Sequence, residues 1–267
     1  PPADGRPSPV FLVGFPRSGT TLLDAVLRGH PEVRVVEEAD TVETVYPLLR
    51  EARGGFPDAL AGLTPDDVAT LRGVYFRALD AHVAPDGGRI VVDKLPLRLV
   101  HAGILHRLFP DARFLLMLRH PCDAVLSAFM QHFALNNAMA NLGTLPDAAH
   151  FYDAVMGLWT RYTEVLPLAW HAVPYEALLA DFDGIVGGVL DFLGLPWHPG
   201  VADYRETARA RSGITTPSYS QVVQPLYTTA RGRWTRYARY LRPVLPTLAP
   251  WATYWGYPDP RDDPATG

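Results

Sequence analysis

Residues 10–27 read VFLVGFPRSGTTLLDAVL. Val10 to Val13 is a short apolar run with β-branched members, which predicts a buried strand. Gly14 and Gly19 bracket Phe15-Pro16-Arg17-Ser18, and Leu22, Leu23, Val26 and Leu27 then recur at helical spacing. Strand, glycine-bracketed loop and helix in this order present backbone N–H groups and the positive end of a helix dipole to an anion. The spacing is that of a P-loop, G-x-x-x-x-G followed by two hydroxyl residues. The lysine that ordinarily follows the second glycine is Thr20 here. The loop is therefore expected to hold phosphate or sulfate while matching a nucleotide triphosphatase poorly.

Outward from that stretch, strands alternate with helices. Extended or strand segments are expected at Val33–Val36, Arg89–Asp93, Arg113–Leu118 and Ala172–Val173. Helices are expected at Thr41–Arg53, Asp66–His82, Leu97–Leu108, from Pro121, over Asp147 to about Trp170, at Phe182–Leu193, Trp234–Leu241 and Val244–Trp255. Arg211–Gly232 has hydroxyls, prolines and little periodicity, so it reads as a long ordered or lid-like loop. This alternation implies an α/β, P-loop-like three-layer fold, a central parallel sheet flanked by helices, with ligands at the carboxyl ends of the strands. The loop after Gly14, Lys94, Arg119 and Tyr175 all fall at such ends. Proline-rich residues 1–9 read as a linker, residues 10–257 as one domain and residues 258–267 as a tail.

The chain has 267 residues and a net charge of −4, so bulk attraction to nucleic acid or an anionic membrane is not suggested and any anion site is a local patch. A single cysteine, Cys122, excludes an intrachain disulfide and fits a reducing, cytoplasmic setting. No run approaches the ~18 apolar residues of a membrane span, and no signal-peptide pattern opens the chain. It begins with proline rather than methionine, as a fragment or processed chain does. Of the 24 basic residues only Lys94 is lysine, the other 23 being arginine. That usage suggests a compact ammonium doing at 94 what a planar guanidinium cannot, against the plainer reading of a chance surface lysine.

Three stretches call for one explanation: GFPRSGTT at 14–21, LLMLRHPCDAVLSAF at 115–129 and VVDKLP at 91–96. The first two resemble the 5′-phosphosulfate and 3′-phosphate motifs of sulfotransferases that use 3′-phosphoadenosine 5′-phosphosulfate (PAPS). Together with His30-Pro31, Glu37-Glu38, DKLP and the late SYSQVVQPLY…RW, the set resembles the tyrosylprotein-type branch, over about Val10 to Tyr257. The resemblance implies that Arg17, Ser18, Gly19, Thr20 and Thr21 surround the 5′-phosphosulfate, with Arg17 also among the catalytic groups. It implies that Arg119 and Ser127, eight residues apart, hold the 3′-phosphate. Tyr175 falls at an adenosine-side contact. Ser218, Tyr219, Ser220 and Gln221 belong to a late cofactor loop, and Arg233 matches a lysine there. Glu38 matches the catalytic base, Lys94 the lysine that stabilises the transition state, and Ser218 a serine with a similar role.

The co-substrate is then PAPS, the product 3′,5′-adenosine bisphosphate, and no metal is called for. The acceptor, a peptide tyrosine or a small molecule, stays open. The full chain has room for an N-terminal helical-repeat domain, as in many bacterial-type members, and for a homodimer. Departures from the branch are Gln131 in place of a phosphate-contacting arginine and the absence of the cysteines that secretory relatives pair. The late glycine-rich motif of cytosolic small-molecule sulfotransferases is also absent.

Sulfuryl transfer gives these residue types a reason. Charge spreads over peripheral oxygens between nucleophile and leaving group held in line, so positioning and electrostatics carry the catalysis. Cations Arg17, Lys94, Arg119 and Arg233 suit a polyanion, and a carboxylate near the sulfur can take the acceptor's proton. Other readings stand beside this one. Glu37 rather than Glu38 is the base if the motif offset slips by one. Ser127 is an ordinary mid-helix serine, Arg119 an edge ion pair, or one of His101, His106, His120 and His132 a base. Val91-Val92-Asp93 imitates the metal-binding strand of a P-loop kinase or NTPase, and a non-catalytic nucleotide-binding module needs neither Glu38 nor Lys94.

Overall fold

Alternate residues of strand β1, Val10–Gly14, face opposite layers, because side chains on a strand repeat every second residue. Val10 and Leu12 pack with Leu23 and Val26 of helix α1, Thr20–Arg28, and with Val186 and Leu190 of α9, Phe182–Leu193. Phe11 and Val13 pack with Val45 of α2, Thr41–Glu51, Tyr75 of α4, Pro65–Asp80, and Trp159 of α7, Leu145–Val165. Each such side chain, fully buried, contributes roughly 1.5–3 kcal/mol. The computed structural model describes residues 4–83, 89–134, 136–209 and 231–266.

The sheet has five parallel strands in the order β2-β3-β1-β4-β5. The others are β2, Val33–Glu37, β3, Ile90–Lys94, β4, Arg113–Leu118, and β5, Ala169–Pro174. With helices on both faces this is the three-layer, P-loop-like α/β arrangement expected from the sequence. Short helices complete the layers: α3, Ala59–Gly62, α5, Ala102–Leu108, α8, Tyr175–Ala180, α10, Tyr204–Arg209, α11, Ala238–Leu241, and α12, Leu245–Tyr254. β1 leads into α1 on one layer, whereas its neighbour β4 leads into α6, Pro121–Phe129, on the other. The two connections part in opposite directions and leave a crevice at the carboxyl ends, the topological switch point of such a sheet.

Several boundaries differ from the sequence reading; the helix expected over Trp234–Leu241, for one, opens as a 3₁₀ turn, Arg233–Tyr237, and is α-helical only over Ala238–Leu241. The helix expected to run to about Trp170 ends at Val165, and β5 starts at Ala169 rather than Ala172. Pro167 has no N–H to give a helix, and Ala169–Pro174 instead pairs with all six residues of β4. The helix expected over Leu97–Leu108 begins as a 3₁₀ turn, Pro96–His101, and becomes α-helical only from Ala102. The first and last described residues lie against the domain. Asp4 takes hydrogen bonds from the buried Arg72 of α4 at 2.8 and 2.9 Å, and Arg6 pairs with Asp80 at 2.7 Å. Pro260 is buried, and Arg242 donates to the Thr266 carbonyl at 2.8 Å.

Candidate active site

The glycine loop is built by two close approaches. A side chain at Gly14 would place Cβ 2.6 Å from the Met117 carbonyl on β4. Gly19 has φ +109°, and its Cβ would lie 2.7 Å from the Tyr175 ring. Between them Arg17 takes a φ of +71°, a conformation that costs a non-glycine residue about 1–3 kcal/mol and is held only where surrounding contacts impose it. One such contact is visible: Arg119 Nη1 donates to the Arg17 carbonyl at 3.0 Å. Arg17 Nε donates in turn to Ser127 Oγ at 3.2 Å, so loop and α6 are joined across the crevice. The Arg119 guanidinium carbon lies 5.1 Å from the centre of the Tyr175 ring.

Arg233 reaches the same corner by another route. Asp123, in the first turn of α6, accepts from the Gly232 and Trp234 N–H groups at 2.7 and 2.8 Å. The residue between them is thereby fixed near α6, and its guanidinium touches Met130 Sδ at 3.5 Å. Burial, with the charges of Arg119 and Arg233 added, lowers the Arg17 pKa to about 10, so it is still a cation at neutral pH. Three guanidinium groups that repel one another in a partly buried corner form a site suited to a multiply charged anion.

The other half of the site lies at the ends of β2 and β3. Parallel register sets Glu37 directly beside Lys94. Both side chains point toward α1, since Val33, Val35, Ile90 and Val92, at the same parity, belong to that layer. Lys94 is fully buried, with Nζ 2.7 Å from Glu37 Oε1 and 3.1 Å from Glu38 Oε1. In an extended strand Glu38 would face the opposite layer from Glu37. Its φ of +51° turns it back, and consecutive carboxylates meet one ammonium. Asp24 of α1 lies behind, paired with Arg28 and within the field of Lys94. Burial raises the Asp24 pKa against the pull of both cations.

A buried network beneath holds the Glu38 turn. Asp93 Oδ2 accepts from Tyr75 and Thr41 at 2.6 and 2.7 Å. The buried Arg98 donates to the Ala39 carbonyl at 2.7 Å and to Glu43 at 2.6 Å, and lies 3.4 Å from Asp93. The Glu38 N–H itself donates to the Lys94 carbonyl at 2.8 Å. Asp93, which in sequence imitates a metal-binding aspartate, is thus engaged by protein hydroxyls and a guanidinium. Among the described residues no group of three or more His, Cys, Asp or Glu is arranged to hold a metal ion.

The structure therefore gathers Arg17, Ser18, Gly19, Thr20, Thr21, Arg119, Ser127, Tyr175 and Arg233 around the carboxyl ends of β1, β4 and β5. It sets Glu38 and Lys94 at the ends of β2 and β3. Ser218, Tyr219, Ser220 and Gln221, and the expected loop as far as residue 230, lie outside the described residues. His120 serves the frame: its Nδ1 accepts from the Cys122 N–H at 3.3 Å and its ring stacks on Trp234. Burial, then Arg119, lowers its pKa to about 4, which keeps it neutral. Sequence reasoning missed Arg98, Thr41 and the clamp made by Asp123. Nothing in local spacing marks Arg98, which reads as a surface helix residue, whereas Asp24 and Arg28 do show the i, i+4 spacing of their pair.

Known proteins resemble this chain over most of its length. The sequence profile of the Sulfotransferase family matches residues 9–199. An uncharacterised protein of Aquifex aeolicus (strain VF5) is 27% identical over 255 residues, covering 91% of this chain and 33% of its own length. Protein-tyrosine sulfotransferase 1 of Danio rerio is 26% identical over 267 residues, covering 96% of this chain and 73% of its own. The chain thus spans a third of the first relative and under three quarters of the second. The solved sulfotransferase domain from the curacin biosynthetic pathway superimposes with a TM-score of 0.62 at 17% identity, covering 95% of this chain and 99% of that one, a likeness of fold. With a strand, a glycine loop, a lone buried lysine and this profile in agreement over most of its length, the chain belongs to the Sulfotransferase family.

Proposed function

We propose that this domain transfers the sulfuryl group of PAPS to an acceptor hydroxyl, with Glu38 as general base and Lys94 facing the leaving oxygen. The observation that carries the reading is the lone lysine, buried against two carboxylates at a strand end one strand away from a glycine loop ringed by three arginines. In the reaction the acceptor oxygen forms a bond to sulfur as the bond from sulfur to the bridging phosphate oxygen breaks. The acceptor proton passes to Glu38. The bond's electron pair stays on the phosphate oxygen, giving 3′,5′-adenosine bisphosphate. Arg17 and the loop N–H groups orient the 5′ end, and Arg119, Ser127 and Arg233 grip the 3′-phosphate end. Arginine suits that fixed terminal phosphate because it can offer two donors at once. Ser218 to Gln221 complete the cofactor set in this reading.

The relative named for protein tyrosine makes a phenol the first acceptor to try, as a tyrosine peptide or a small metabolite. The setting proposed is cytoplasmic, on the single buried cysteine; no helix among the described residues is long and apolar enough to cross a membrane. Turnover is tested with PAPS and a panel of phenols, following release of 3′,5′-adenosine bisphosphate. It is expected to survive EDTA. Loss of activity on chelation, restored by magnesium, would instead favour a kinase-like or NTPase chemistry.

The 3′-phosphate grip is alike in ground and transition states, so its removal affects binding more than turnover. Arg119→Ala and Ser127→Ala are accordingly expected to weaken 3′,5′-adenosine bisphosphate in calorimetry. Losing a hydrogen bond to a charged group costs about 1.5–3 kcal/mol. Arg119→Ala also releases the Arg17 carbonyl, so its loss is expected to be the greater of the two. Affinity unchanged in both variants would remove them from the site.

A further inference from the structure

The two adjacent carboxylates are not equivalent. Glu37 is 12% exposed and makes the shorter contact to Lys94, 2.7 Å, whereas Glu38 is 42% exposed and lies at 3.1 Å. Glu37 ends a regular strand and meets Lys94 through strand register, a placement that requires no strain. Glu38 is the one in the left-handed conformation, and the more exposed of the two. Resting on the reading of Lys94 as the ammonium that meets the leaving oxygen, we propose that Glu37 is its positioning residue: it keeps hold of the amine while Glu38 lets go.

The argument is one of partners. A buried ammonium needs a counter-charge and acceptors for its hydrogens at every stage. Among the described residues, the acceptors that Lys94 Nζ bonds are Glu37 and Glu38. When Lys94 turns one N–H toward the bridging oxygen, the longer and more exposed bond to Glu38 is the one to give up. That frees Glu38 to accept the acceptor's proton. The bond to Glu37 persists and limits the swing of the amine. Without Glu37 the amine follows Glu38 toward solvent, away from the leaving oxygen, and occupies the base as well. Glu37 acts only through Lys94 in this scheme; it touches neither sulfur nor acceptor. Asp24, behind the pair on α1, adds to the field that holds the cation inward.

Because Lys94 is the chain's one lysine, protein labelled with ¹⁵N-lysine reports on this amine alone. In the wild type its Nζ–H resonance is expected to be visible at neutral pH, shielded from exchange by burial and bonding. Glu37→Gln is expected to speed exchange with water until the signal broadens or vanishes, while Glu38→Gln leaves it visible. Kinetically, Glu37→Gln is expected to lower kcat roughly tenfold, a coupling of ordinary size for contacting residues, with no matching loss of 3′,5′-adenosine bisphosphate affinity. In a Lys94→Ala background the same change is expected to cost nothing more, and Glu37→Asp should recover part of the single-variant loss.

An unaltered Nζ signal in Glu37→Gln overturns the proposal. So does a Glu37→Gln loss that persists undiminished in Lys94→Ala, which would make Glu37 act directly. If the wild type sulfates neither 4-nitrophenol nor a tyrosine peptide, the proposed reaction is at fault, and the Nζ measurement still decides whether Glu37 holds Lys94.

Discussion

Glu38→Gln is expected to keep 3′,5′-adenosine bisphosphate affinity and to lose turnover by roughly 10² to 10⁴, the range for removing a general base. The amide keeps the size of the carboxylate and can still accept a bond from Lys94, but it cannot take the acceptor's proton. Its exposure, 42%, suits a base that must reach an incoming hydroxyl. The variant isolates chemistry well, because the Glu38 turn is held by groups other than its carboxylate. Its N–H is bonded to the Lys94 carbonyl, and Arg98 holds the next carbonyl, that of Ala39. Measurement of kcat beside calorimetry with the bisphosphate checks it. A loss in Glu37→Gln larger than in Glu38→Gln would reverse the assignment.

Lys94→Ala should lower kcat by something on the order of 10² or more, with a smaller change in cofactor affinity, since charge on the leaving oxygen develops only in the transition state. The structure adds a stability cost to this variant. Removing the ammonium takes a counter-charge away from Glu37 and Glu38 and leaves a cavity at a fully buried position, so thermal unfolding has to be followed alongside. Lys94→Arg discriminates further. The lysine side chain is fully buried, with Glu37 Oε1 2.7 Å from Nζ. A guanidinium keeps the charge but is wider and more rigid, and its donors fan out in a plane. Lys94→Arg is expected to stay clearly impaired. Near-normal kcat in that variant would show that only charge matters there. Acetylation of this amine should be slowed by PAPS, and equal labelling with and without PAPS would place Lys94 outside the site.

Much of the frame was legible because its signals are local. The β1-loop-α1 unit rests on an apolar run, two glycines and helical spacing within eighteen residues. Arg119 and Ser127 stand out as a strand-end arginine and a helix hydroxyl a fixed distance on. The single lysine is a fact of composition. Where local signals conflicted, the reading slipped. Helical periodicity carried past Pro167, while the segment after it pairs with β4, a strand distant in sequence. The 3₁₀ turn at Pro96–His101 also escaped, since proline and apolar spacing fit either helix.

The amino-acid sequence by itself determined the layered α/β plan, the glycine loop and the residue types gathered at the strand ends, because periodicity, glycine spacing and charge are properties of neighbouring residues. Only the tertiary structure decided which carboxylate sits tight on Lys94. That depends on the register of β2 against β3 and on a left-handed turn at Glu38, held by Asp93, Thr41 and Arg98 from three separate elements. Burial likewise tells the cations engaged inside, Lys94 and Arg98 among them, from those that line the surface, and burial is a property of the packed chain.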